Sequence, residues 1–246
     1  MKHIERFTVR WHDTDAGRLV RPSQLLMYMQ ECGNLQCKAD GTELDRLRDE
    51  EHQAFILVRI AMEFYKPLYN SDVIDVETWV GPGKGFTFPR AFRIMRGEEV
   101  IAEAMSIWVL VDTETRQMLP VSAFKHTYPI DEMPKVELPV RLKNHPCPEI
   151  GKRVIVYSDL DYNGHMNNTK YPDMLCDFLP TGVMQDCFPS RMVMVFHHEA
   201  AGGDVLSVCG APEEEQKNHW HFQTTREDGT LCLQAEMELT QRAALQ

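Results

Sequence analysis

Met62-Glu-Phe-Tyr-Lys-Pro-Leu-Tyr-Asn-Ser-Asp-Val-Ile-Asp-Val76 and Met194-Val-Phe-His-His-Glu-Ala-Ala-Gly-Gly-Asp-Val-Leu-Ser-Val208 read as two copies of one unit. At an offset of 132 residues, Met62, Phe64, Asp72, Val73 and Val76 fall on Met194, Phe196, Asp204, Val205 and Val208. The likeness extends both ways, with the offset drifting as insertions would make it. Upstream, Asp13-Thr-Asp15-Ala16-Gly17-Arg18 and Asp159-Leu-Asp161-Tyr-Asn163-Gly164-His165 each precede a helical stretch. This sets Ala16-Gly17-Arg18 opposite Asn163-Gly164-His165, and Pro67 opposite Glu199. Downstream, 92–104 and 222–235 each look like a hairpin. Three blocks in one order argue for an internal duplication.

Each copy reads as a strand, one helix and a run of strands. Arg21-Pro22-Ser23 is a helix-start signal, and Leu25, Leu26, Met29 and Cys32 follow at helical spacing. The spacing predicts helices near 22–39 and 168–179. β-Branched and aromatic residues predict strands at 54–64, 72–80, 87–95 and 100–112, then near 191–198, 204–210, 218–226 and 230–241. A long helix across an antiparallel sheet, twice over, is an α+β arrangement. Between the copies, Pro129, Pro134, Pro139, Pro146 and Pro148 predict an extended connection. The expected division is 1–131, a Pro-rich linker at 132–150, and 151–246.

The chain has 246 residues, 43% apolar and 26% charged, with 26 Lys and Arg against 37 Asp and Glu, a net charge of −11. That composition supports a folded core. It lacks the basic excess a phosphate backbone demands, so nucleic acid is excluded as a partner. Seven cysteines without a CxxC pair read as reduced thiols. The opening Met-Lys-His-Ile-Glu carries no apolar leader, and no apolar run approaches the roughly 18 residues of a membrane span. The expectation is a cytoplasmic protein with no membrane segment.

The chemistry concentrates in Asp161-Tyr-Asn163-Gly164-His165-Met-Asn167-Asn168. A carboxylate, an amide and an imidazole alternate here, at a strand-to-helix turn with Asn167 or Asn168 as a suitable cap. Acid, amide donor, titratable ring and helix N-terminus together suit acyl transfer to water.

This segment resembles the active-site segment of the acyl-ACP thioesterases, tandem hotdog-fold hydrolases, and the resemblance spans most of the chain. It implies a catalytic group of Asp161, Asn163, His165 and Glu199, the last on a strand after the motif. It implies no cofactor, acyl carrier protein as partner, and a first copy that has lost the chemistry and walls the acyl tunnel, with Leu25, Leu26 and Met29 as substrate contacts. Water attack and an anhydride route both stay open. So do an acyl-CoA thioesterase, a non-catalytic acyl-binding hotdog protein, and a homodimer. Plant relatives carry Cys directly after the Glu; here it is Ala200, which argues against a Cys nucleophile. Two locally basic stretches, 84–97 and 135–153, are candidates for docking the acidic carrier. His219-Trp-His221 is expected to be a solvated strand face, with no metal.

Overall fold

The computed structural model describes residues 2–180 and 182–242. The first copy runs β1 (His3–Thr8), a 3-10 turn (Trp11–Asp13), α1 (Pro22–Ala39), α2 (Leu44–Glu51), β2 (Gln53–Phe64), β3 (Val73–Val80), β4 (Thr87–Arg96) and β5 (Glu99–Asp112), with β6 (Met118–Leu119) paired to β5. The second runs β7 (Glu149–Val154), a 3-10 turn (Tyr157–Asp159), α3 (Tyr171–Asp177), α4 (Val183–Asp186), β8 (Cys187–Phe196), β9 (Val205–Pro212), β10 (His219–Arg226) and β11 (Leu231–Gln241).

The strands form one sheet in the order β1-β3-β4-β5-β2-β8-β11-β10-β9-β7. The second half of that order is the first half reversed, copy for copy. The halves join where β2 pairs antiparallel with β8, with Ala61 opposite Val193 and Arg59 opposite Val195. Ala61 and Val193 are themselves 132 residues apart, so the sequence repeat and the local two-fold axis of the sheet coincide at this pair. The bulges obey the same relation: β2 skips Val58 against β5, and β8 skips Ser190 against β11. An antiparallel sheet with a helix on one face per copy is the α+β architecture expected from the repeat, in the tandem hotdog form that the resemblance implies.

Helix α1 begins at Pro22, where the missing N–H costs nothing. It buries Leu25, Leu26, Met29 and Cys32 in a core that runs without a break through both copies. The second helix is shorter than its apolar spacing predicts. Pro172 has no N–H to return to the Asn168 carbonyl, so 168–170 closes as a 3-10 turn before α3 starts. Helix α2 is absent from the sequence expectation because Leu-Asp-Arg-Leu-Arg-Asp-Glu-Glu is short, has only two apolar residues and buries only Leu47.

The connection between copies is extended, as its prolines require, but it is not loose. It crosses the sheet at the two-fold axis, where buried Val136 packs on Ala61 and Val193 with Met105, Leu138 and Leu142 around it. Two arginines 132 residues apart hold it: Arg59 Nη1 donates to the Val140 carbonyl at 2.9 Å and Arg191 Nη2 to the Glu137 carbonyl at 3.0 Å. No helix among the described residues is long and apolar enough to cross a membrane.

Candidate active site

Asp161 organises the turn after β7. Its Oδ1 accepts the backbone N–H groups of Asn163 at 2.8 Å and His165 at 3.4 Å, and its own N–H donates to the His165 carbonyl at 2.9 Å. Gly164 takes the left-handed conformation this closure needs, with φ of 79°. The turn is then fastened to the connection between β8 and β9: His165 bridges Ala201, and Met166 N–H donates to the Ala200 carbonyl at 2.8 Å. Asn167 caps the 3-10 turn at 168–170, its Oδ1 accepting Thr169 N–H at 2.9 Å.

That fastening brings His165 against Glu199, with Nε2 at 3.1 Å from Oε2. The imidazole is partly covered and the carboxylate half open, with side-chain exposures of 28% and 50%. Asn163 is exposed on the same turn, two residues before His165. The structure therefore gathers all four predicted residues on one turn and the strand end beside it. Asp161 acts through the backbone, whereas Asn163, His165 and Glu199 present side chains. Ala200 is buried, so a cysteine there would point into the core.

The first copy repeats this turn bond for bond and shifts one expected correspondence by a residue. Asp15 N–H donates to Leu19 O at 2.8 Å, and Asp15 Oδ1 accepts Gly17 N–H at 2.8 Å. Arg18, at φ of 68°, occupies the place of Gly164. The counterparts are thus Gly17 for Asn163, Leu19 for His165 and Pro67 for Glu199, since Leu19 bridges Tyr69 as His165 bridges Ala201. Only the second copy has groups that can move a proton.

The sequence pattern of the acyl-ACP thioesterase N-terminal domain matches residues 1–123, and that of the C-terminal domain matches residues 149–241. The chain belongs to the acyl-ACP thioesterase family. Among curated acyl-ACP thioesterases it is 23% identical over 238 residues to the chloroplastic oleoyl-acyl carrier protein thioesterase of Coriandrum sativum, covering 88% of this chain and 64% of the relative. It is 21% identical over 221 residues to the chloroplastic palmitoyl enzyme of Gossypium hirsutum, covering 82% and 53%. The chain thus spans a little over half of the length of these relatives. In fold it superposes on an acyl-ACP thioesterase from Bacteroides thetaiotaomicron with a TM-score of 0.88, at 22% identity over 97% of this chain and 98% of the other. For the 12:0-ACP thioesterase of Umbellularia californica the values are 0.79, 17%, 98% and 98%.

In this acyl-ACP thioesterase-family chain, Leu25, Leu26 and Met29 lie in the main core. The cavity beside α1 is lined instead by its next face, Gln30, Gly33, Asn34 and Cys37, with Phe55, Phe88, Phe92, Trp108, Phe124 and Tyr128 opposite. Those four helix positions recur at i, i+3, i+4 and i+7, a readable stripe, but nothing in their mixed composition marks a cavity wall. Arg90 crosses one side of the cavity, its Nη1 donating to Gln36 Oε1 at 2.6 Å and to Thr78 Oγ1 at 3.1 Å. Sequence reading also missed Arg48 on α2, whose guanidinium stacks 5.0 Å from the Tyr162 ring centroid. First-copy residues therefore border the second copy's turn at Asp161–His165.

The basic run 84–97 is not a free positive surface. Arg93 pairs with Glu103 at 2.7 Å, and Arg96 with Asp72 at 3.0 Å and Glu99 at 2.7 Å. Nor is His219-Trp-His221 a solvated face. His221 is buried, and Glu213, Glu236 and His145 gather around it as candidate metal ligands.

Proposed function

We propose that the protein hydrolyses the thioester of a fatty acyl group carried on acyl carrier protein, releasing the free fatty acid and the carrier's thiol. The observation that carries this reading is the His165–Glu199 pair on a turn whose copy in the first unit holds Leu19 and Pro67. Duplication kept the scaffold twice and the titratable pair once.

Glu199, oriented by His165, takes a proton from a water that attacks the thioester carbonyl carbon. The developing oxyanion is met by the Asn163 amide, and losing one such donor typically costs about 3 kcal/mol of barrier. Collapse of the tetrahedral intermediate breaks the C–S bond, and the proton passes through the pair to the leaving thiolate. Asp161 is a positioning residue that sets the turn through two backbone N–H groups. The acyl chain runs into the apolar cavity of the first unit, which gives 1–131 the role of binding, 132–150 that of a connection and 151–246 that of catalysis. The contact between Arg48 and Tyr162 supports this division, because it sets the first unit beside the turn.

The test is free-thiol release from matched panels of acyl-ACPs and acyl-CoAs. Higher kcat/KM on the carrier protein supports the reading. Turnover confined to CoA esters moves the protein to acyl-CoA hydrolysis, and no turnover on either sinks the catalytic assignment.

A further inference from the structure

A second cluster of chemistry lies on the opposite face of the sheet from the core. Along β10, Trp220 and Phe222 point into the core, so His219 and His221 face outward. Across the ladder, Glu236 of β11 stands directly opposite His221. His145, from the segment connecting the two units, stacks on His221 with ring centroids 3.7 Å apart. These groups are not a random charged surface, since His221 is 8% exposed and the Nε2 atoms of both His219 and His221 are buried without a hydrogen-bond partner.

Burying the His219 Nε2 unpaired costs free energy that a native structure avoids unless something satisfies it. The separations show what does. Glu236 Oε2 stands 3.9 Å from His219 Nε2, and Glu236 Oε1 stands 3.7 Å from His221 Nδ1. Both are too long for hydrogen bonds. They lie close to the edge of a tetrahedron with ligands about 2.0–2.1 Å from a central ion, roughly 3.3 Å. On the far side of His219, Glu213 Oε2 lies 3.1 Å from Nδ1. A carboxylate can only accept, so Nδ1 carries the proton and Nε2 presents its lone pair inward. This is how outer carboxylates orient ligating histidines.

We propose that His219, His221 and Glu236, with His145 as the fourth donor, form a binding site for a divalent transition-metal ion of the zinc type. Three imidazoles and one carboxylate are a nitrogen-and-oxygen set suited to tetrahedral zinc. Ligand atoms of His145, His221 and Glu236 already lie within 4.8 Å of one another, so small rotations, including an unstacking of His145, close the shell. Because His145 belongs to the connecting segment, the ion clips that segment to β10 and β11. The role is structural, on a face that the His165–Glu199 chemistry does not use.

The test uses the full chain, purified without a polyhistidine tag. Elemental analysis after dialysis against zinc, and competition with a chromogenic chelator, should show one equivalent bound. Substituted Co2+ should give the intense visible bands of a tetrahedral site. His221→Ala and Glu236→Gln should each weaken zinc binding at least tenfold with unchanged circular dichroism. Cys147, two residues from His145, and Cys209, on the strand beside β10, contact each other, and the double variant Cys147→Ser/Cys209→Ser should bind zinc as the parent does. Failure of the parent to bind zinc overturns the proposal. So does parental affinity in both His221→Ala and Glu236→Gln, or loss of binding in the cysteine double variant.

Discussion

His165 and Leu19 hold the same position in two copies of one turn: the carbonyl of each accepts the N–H of an aspartate four residues earlier, at 2.9 Å and 2.8 Å. The backbone does not need the imidazole, since Leu19 makes the same bonds without one. The imidazole is therefore free for the proposed chemistry, and its removal should cost chemistry rather than folding. His165→Ala and Glu199→Ala are each expected to lower kcat at least about a hundredfold, the scale of a lost acid–base group. Thermal unfolding should stay close to the parent because both side chains are partly open to solvent. A Glu199 variant with near-parental turnover would remove the carboxylate from the mechanism.

The cavity wall sets the second prediction. Leu26 and Met29 are fully buried in the main core, so enlarging either overpacks the core and does not probe the tunnel. Gly33 and Asn34 face the cavity. A Cβ on Gly33 would meet Arg90 at 3.5 Å, an ordinary contact. Gly33→Leu should therefore fold and should shift preference toward shorter acyl groups. Each CH2 denied burial is worth about 0.8 kcal/mol, so a site two carbons shorter reorders kcat/KM by about tenfold. The check is a chain-length series on one carrier, and an unchanged profile places the acyl chain elsewhere.

The connecting segment is held at the two-fold axis, and loosening it should be measurable. Val136 is buried on Ala61 and Val193, and Val136→Asp places a carboxylate there with no partner. Loss of about 2–4 kcal/mol in urea unfolding is expected. Arg191→Ala removes one charged donor to the segment and should cost about 1–2 kcal/mol, together with faster proteolysis near residues 137–143.

How much of the molecule is legible in the sequence depends on what each residue signals. The repeat of Met62 and Phe64 in Met194 and Phe196 locates the central pairing, because the ladder repeats the same 132-residue offset. The candidate site's turn reads one residue out of register when glycine is made the marker of the left-handed position. In the first copy Gly17 sits beside that position and Arg18 occupies it, at φ of 68°, so the backbone signal and the glycine have separated. Helix α2 offers only two apolar residues in eight, and the partners of His221 come from residues 145, 213 and 236, which no local spacing connects.

Alkaline pH supplies a prediction with a definite sign. Burial raises the pKa of all seven thiols, and for Cys32 it is pushed from the ordinary 9.0 up to about 12. The unfolded chain ionises first, so the stability present below pH 9 is lost as the pH rises toward 12. At pH 10 the Cys32 contribution alone is on the order of 1 kcal/mol. Urea midpoints should hold steady from pH 7 to 8.5 and fall at pH 10. In the folded protein at pH 8 only about one Cys32 in ten thousand is thiolate, so brief alkylation should leave activity intact. Rapid inactivation by iodoacetamide would point to a reactive thiol this fold does not provide.

The first copy keeps Asp15 where the second has Asp161, which invites the idea that two substitutions would restore a second catalytic centre. Arg242 opposes this. Its Nη2 donates to Asp15 Oδ2 at 2.5 Å and to the Met184 carbonyl at 2.8 Å, while Nε donates to the Cys187 carbonyl at 2.9 Å. A Cβ on Gly17 would overlap that guanidinium, so an asparagine there would have to displace Arg242 from Asp15. The copy is sealed by a cation bound across the end of the sheet. Leu19→His with Pro67→Glu, placed in a His165→Ala/Glu199→Ala background, should leave thiol release at the background rate. Arg242→Ala alone should destabilise the chain by about 1.5–3 kcal/mol, the scale of hydrogen bonds to a charged group, with kcat in the intact second copy little changed. Recovery of turnover in the grafted background would show that Arg242 seals nothing and that His and Glu alone suffice to make the site.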